Sequence, residues 1–346
     1  MAKFKTKDGV GIIPKGTKVI EDRAFANRSS LKSVIIPDSV TVIKARAFEG
    51  CTSLENVIIS DSVTVIEMRA FEGCTSLENV VIPKSVTEIG WGAFLGCTSL
   101  ESIVVAEGNP VYDSREGCNA LIETKTNTLI TGCGSTIIPE SVTKISDNAF
   151  LGCTSLKSVR IPDSVTVIGS QTFEGCTSLK WVRIPDLVTR IGERAFYGCS
   201  SLKNIRIPEG VTKIRKEAFY GCTSLEIVII SDSVTVIEAR AFEGCTSLEL
   251  VVIPNSVTEI GYCAFEGCTS LENVIIPKSV TKIGLDSFSG CISLESVTLL
   301  SRAELYNGLF ANCPSLQTIN VPSDYVDYYK EYLPEELHDK IVELDR

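Results

Sequence analysis

The sequence predicts a β-rich solenoid: short coils stacked on a parallel sheet and closed by a terminal cap. Three observations predict it. Phenylalanine returns every 23 residues, at Phe25, Phe48, Phe71 and Phe94, then at Phe150, Phe173, Phe196, Phe219, Phe242, Phe265 and Phe288. A cysteine follows nearly every one of these by three residues and a leucine by six. Each unit then continues as a run like Leu54-Glu55-Asn56-Val57-Ile58-Ile59, in which Val57 and Ile59 alternate inward with the period of a strand. A fixed period of roughly 20–29 residues marks coils that bury their apolar faces only against their neighbours.

The parts of one coil follow from its residues. After the strand most copies carry Pro and a short polar residue, as in Pro83-Lys84-Ser85 and Pro162-Asp163-Ser164. Proline lacks a donor and ends ladder pairing, so the chain turns there. Val63 and Ile66 begin a second, shorter extended segment on the opposite side. The Ala-Phe-x-Gly-Cys stretch is too short for a full helix and suits a 3-10 turn closed by Gly. One domain spans residues 1–346: an N-terminal cap and first coil (1–30), repeats (31–105), an atypical coil (106–139), repeats (140–322) and a C-terminal cap (323–346). In the atypical coil, Ala120–Glu123 and Asn127–Ile130 read as a protruding hairpin around Thr124-Lys125-Thr126. Residues 58–102 nearly duplicate 229–273, so differences between copies carry information. The tail begins Ser323-Asp324-Tyr325, with a serine suited to an N-cap and acids in the first turn, and predicts a helical cap.

The units, with their I-P-x-S-V-T-x-I-G and A-F-x-G-C-T-S-L motifs, resemble BspA-like leucine-rich repeats from about Gly11 to Pro322. The resemblance implies a leucine-rich repeat solenoid, an α/β-horseshoe-like right-handed superhelix, and protein recognition rather than catalysis. The chain departs from the commonest leucine-rich pattern in lacking an asparagine after the strand. The Cys before the leucine takes that polar ladder role.

Eleven cysteines, from Cys51 to Cys313, share one repeat position and form a single row. Rungs about 4.8 Å apart with parallel side chains do not suit a disulfide, and a straight row cannot converge on tetrahedral zinc. The row therefore reads as buried small hydrophobes with weak S–H donors; Cys118, Cys133 and Cys263 lie off it. Catalytic signals are sparse. His338 is the sole histidine, and the chain has no Gly-rich phosphate loop, H-E-x-x-H or Cys-x-x-Cys. The expectation is a non-enzyme without cofactor or metal. No run approaches 18 apolar residues, so no membrane insertion is expected. A net charge of −10 argues against nucleic acid. The lysine-bearing start has no apolar segment behind it: a native Met1 implies the cytoplasm, a removed export signal the cell surface or secretion.

The candidate site is a break in the exposed rows of the main sheet. The residue after the strand valine reads Ile35, Ile58, Val81, Val104, then Arg160, Arg183, Arg206, then Ile229, Val252, Ile275. Ahead of the same three strands the recurrent Glu becomes Lys157, Lys180 and Lys203, and Trp181 stands beside Arg183. Like charges on neighbouring strands repel, so something must compensate. Asp163, Asp186 and Glu209, a few residues after each strand, are the internal candidates; a partner is the other. Arg and Trp flanked by aliphatics is the usual composition of a binding hot spot. A protein partner on the sheet face is the favoured function. The alternatives are a cell-surface adhesin for host proteins or glycans, and a structural or assembly subunit without a specific ligand.

Overall fold

The structure, a computed structural model, describes residues 4–344. It comprises two compact units: Met1–Ser164 with Thr172–Ser178, and Val165–Gln171 with Leu179–Arg346. In the first, an antiparallel hairpin (Lys5–Lys7 and Val10–Ile12) leads into parallel strands Ser33–Ile35, Asn56–Ile58, Asn79–Ile82 and Ser102–Val105. Each residue pairs with the one 23 positions on, as Val34 with Val57. The central valine or isoleucine of each strand is buried, while its neighbours Ile35, Ile58 and Val81 are exposed. A second row of two-residue strands, Val19–Ile20, Val42–Ile43, Val65–Ile66 and Glu88–Ile89, forms a separate parallel sheet.

The second unit repeats this plan. Its main sheet runs Asn204–Arg206, Ile227–Ile229, Leu250–Val251, Asn273–Ile276, Ser296–Leu299, Thr318–Pro322 and Ile341–Leu344. The short row runs from Lys213–Ile214 to Glu304–Leu305.

The Ala-Phe-x-Gly-Cys stretch is a chain of turns whose N–H groups alternate between two acceptors. Cys51 and Ala47 donate to the carbonyls three residues back, while Phe48 and Gly50 donate to Ala70 (2.8 Å) and Glu72 (2.7 Å) of the next coil. The alternation depends on left-handed residues, such as Arg46 (φ 55°) and Gly50 (φ 67°), which recur in the sister coils. The phenyl rings stack in register. Phe25, Phe48 and Phe71 are spaced 5.0 Å apart and nearly parallel, and Phe196 through Phe288 are spaced 5.2–5.4 Å.

Two expectations are corrected. The atypical coil does contain antiparallel strands, Leu121–Glu123 and Thr128–Thr131, but they do not protrude. Thr128–Thr131 pairs in parallel with Lys144–Ile145, and Leu121, Ile122 and Leu129 are fully buried. Their aliphatic side chains need the core, which draws the hairpin into the short-strand row. In the tail, Ser323 is not the cap of the α-helix. It opens a 3-10 turn (Ser323–Tyr325), and Tyr325 holds the N-cap of helix Val326–Tyr332. The cap also adds the strand Ile341–Leu344, whose few apolar residues gave no periodic signal.

Tyr329 fastens this cap: its ring is fully buried and its hydroxyl donates to the Ser301 carbonyl. Tyr328 donates to the Ala303 carbonyl at 2.8 Å. Replacing Tyr329 by Ala is expected to cost about 3–5 kcal/mol, the usual range for a buried aromatic. Hydrogen exchange should show protection falling first in the C-terminal coils, since a solenoid frays from its ends.

Candidate functional site

All seven residues singled out in the sequence are exposed on strands or at their entry. Five belong to the second unit. There Trp181, Arg183, Arg206, Ile227 and Ile229 line one open depression of about 310 Å³, with Val182, Ile184 and Ile205 beneath them. Trp181 is 51% exposed and Ile229 56%. Leu250, Val252 and Ile275 extend the exposed apolar surface along the same sheet. Lys203 stands at the rim with its ammonium 3.0 Å from Glu226, and Lys180 is exposed beside Trp181. Lys157 and Arg160 lie on the first unit's own face and do not line this depression.

The compensation between arginines and acids differs from the expected one. Arg206 pairs with Asp186 at 2.6 Å and Arg160 with Glu140, each acid lying 20 residues back rather than a few residues ahead. The outward arginine reaches across to the turn of the preceding coil, because coil stacking brings that turn closer than its own. Both pairs are more than half exposed, where such contacts contribute about 0–1 kcal/mol. Each of these two pairs is weak and leaves its guanidinium group exchangeable.

Nucleophilic chemistry finds little support in the thiol row. Where the repeat is regular the ladder Sγ donates to the Phe carbonyl one coil earlier, as Cys51 to Phe25 (3.1 Å), Cys222 to Phe196 (3.1 Å) and Cys291 to Phe265 (3.3 Å). This is the polar ladder role expected of the Cys position. Burial pushes the Cys51 thiol up to about 11, and those of Cys97 and Cys222 to about 12, the reverse of an activated nucleophile. His338 bonds through Nε2 to the Leu333 carbonyl in the cap. One grouping escaped the sequence reading. Glu243, Cys263 and Glu266 bring ligand atoms within 4.8 Å of one another, a closeness created by stacking Glu243 against the following coil, which holds the other two. Arg240 lies 3.6 Å from Glu243, and burial, then the Glu266 carboxyl, raises Cys263 to about 12.

Stacked coils with one long strand each, a leucine-closed turn and a thiol ladder define a leucine-rich repeat scaffold. The chain belongs to the BspA type leucine rich repeat family, whose model matches residues 11–114, 130–249 and 235–333. Among solved structures, a leucine-rich repeat protein from Bacteroides ovatus is 30% identical with a TM-score of 0.55, covering 88% of this chain and 87% of that one. The pneumococcal vaccine antigen PcpA is 20% identical with a TM-score of 0.55 over 95% of this chain and 71% of that one, a likeness of fold alone. A leucine rich cell surface protein from Faecalibacterium prausnitzii is 30% identical with a TM-score of 0.49, over 81% and 69% of the two chains. No curated protein matches the chain. No helix among the described residues is long and apolar enough to cross a membrane.

The raised thiol pKa values fix a pH dependence. A folded-state value above the unfolded one, near 9.0, means that the thiol's contribution is complete below pH 9 and is lost as pH rises through the folded value. Stability from denaturant melts should hold between about pH 7 and 8.5, then fall by up to about 1.4 kcal/mol per pH unit for each buried thiol in the cooperative unit. Cys222→Ala should shallow that slope. Native protein should react with a thiol reagent far more slowly than unfolded protein.

Proposed function

We propose that the chain is a non-enzymatic protein-binding scaffold, and that the exposed sheet face of the second unit receives the partner. The observation that carries this reading is the depression formed by Trp181, Arg183, Arg206, Ile227 and Ile229. An indole and two guanidinium groups at the edge of an aliphatic surface form a hot-spot composition that exposed strand residues do not otherwise require. Charge complementarity names the partner chemistry: an extended protein segment with one or two carboxylates beside aliphatic or aromatic side chains. A partner carboxylate replaces Asp186 at Arg206 at little cost, because the existing pair is solvated. Lys180 and Lys203 favour the same sign of partner at the rim. Lys157 and Arg160 form a separate basic contact on the first unit.

Selection from a phage-displayed random peptide library tests this. Enriched peptides should carry Asp or Glu near apolar residues, and their affinity should weaken with salt. Trp181→Ala should lower affinity by about tenfold or more, as expected of an anchor residue. Arg206→Ile, the residue type found at Ile229 in the next coil, should lower affinity and reduce the salt dependence with melting temperature unchanged. Peptides without acidic enrichment, or undiminished binding by both folded variants, would sink the assignment.

A further inference from the structure

The phenyl stack of the first unit lacks a rung where the atypical coil enters. In the coils before it, three N–H groups per coil bond the next coil: Arg69 to Trp91 (3.0 Å), Phe71 to Ala93 (2.8 Å) and Gly73 to Leu95 (2.8 Å). The equivalent donors of the following coil, Gly92, Phe94 and Gly96, make no such bonds among the described residues. The chain between Phe94 and Phe150 contributes no phenylalanine, and it passes this level as Gly132, whose N–H takes the Ala149 carbonyl at 2.8 Å. Only glycine fits there, since a Cβ would lie 2.1 Å from the Phe150 ring. The Cys133 thiol donates to the Glu101 and Asn119 carbonyls.

Between the two coils lies a cavity of about 220 Å³. Phe94 and Phe150 form opposite ends of the broken stack, and Leu100, Ile130, Cys97 and Cys153 line the walls. Phe94, Leu100 and Phe150 are at most 4% exposed. An apolar cavity of about 150 Å³ suffices to bind benzene. The regular rungs show what such a space accepts, with rings stacking at 5.0–5.5 Å through Phe48, Phe71 and Phe94. A purely apolar occupant would leave the Phe94 N–H without an acceptor, and a buried donor left unpaired is unfavourable. Asp147 at the lining disfavours an anion.

We propose that this cavity is a binding site for a small neutral monocyclic aromatic bearing one hydrogen-bond-accepting oxygen. Its ring completes the phenyl stack between Phe94 and Phe150, and its oxygen accepts from the Phe94 N–H. The site is independent of the sheet-face depression, which belongs to the other unit.

Saturation-transfer NMR and thermal melts of the full chain with benzyl alcohol, and with toluene as the oxygen-free probe, test the assignment. Benzyl alcohol should bind saturably and raise the melting temperature, and toluene should bind several-fold more weakly. Ile130→Phe supplies a ring from the cavity wall and should abolish benzyl alcohol binding while circular dichroism stays unchanged. Should that variant fail to fold, Ala149→Leu carries the test, because Leu309 occupies the corresponding position in a later coil. No saturable binding to the parent protein, or undiminished binding by a folded filled variant, overturns the site. Equal affinity for toluene overturns the role given to the Phe94 N–H.

Discussion

The hydrogen-bonded rung between successive coils is the constraint on which the rest of each unit depends. Every coil must present donors and acceptors to its neighbour at one strand spacing, and the same residue types then fall in columns. Phe48 shows the arrangement: its N–H reaches Ala70 at 2.8 Å, its ring stacks 5.0 Å from Phe71, and its carbonyl accepts the Cys74 thiol at 3.2 Å. A single residue thus serves the backbone ladder, the core and the thiol row. The left-handed residues that alternate the turn's N–H groups are part of the same device. At Arg46 and Arg240 they hold a non-glycine residue where isolated peptides resist it. Repetition distributes that strain over many coils that hold one another in place.

The same columns govern the surface. Because coils stack in register, a substitution in three adjacent repeats becomes a patch, as Trp181, Arg183 and Arg206 show with Ile227 and Ile229. Register also decides which charges meet. Arg206 finds Asp186 of the preceding coil rather than Glu209 of its own, so the acid that quiets this arginine is contributed by a different repeat. The resulting pairs are solvated and weak, and the patch remains chemically available. In the interior, the same register penalises an irregular coil. The atypical segment keeps the short-strand row intact through Thr128–Thr131 and Lys144–Ile145, yet leaves the phenyl stack incomplete beside Gly132.

Periodicity made most of the architecture legible in the sequence. The 23-residue return of Phe, Cys and Leu determined the coil, the parallel register, the buried valine column and the thiol ladder, because in a solenoid each contact is repeated at one fixed sequence separation. It also determined that Arg183 and Arg206 fall side by side on the second unit's sheet face, since adjacent strands pair in register wherever the repeat is regular. What it could not determine were contacts that depend on how two different repeats approach one another. The partners of Arg160 and Arg206 lay one coil back, the hairpin was drawn into the short-strand row by Leu121, Ile122 and Leu129, and Glu243 met Cys263 and Glu266 of the next coil. The strand Ile341–Leu344 and the anchoring of Tyr329 likewise follow from the open edge they cover rather than from local propensity. The sequence by itself determined everything set by a repeated neighbour; the tertiary structure alone decided what happens where the repeat breaks, because there the partner is chosen by space and unsatisfied hydrogen bonds instead of by period.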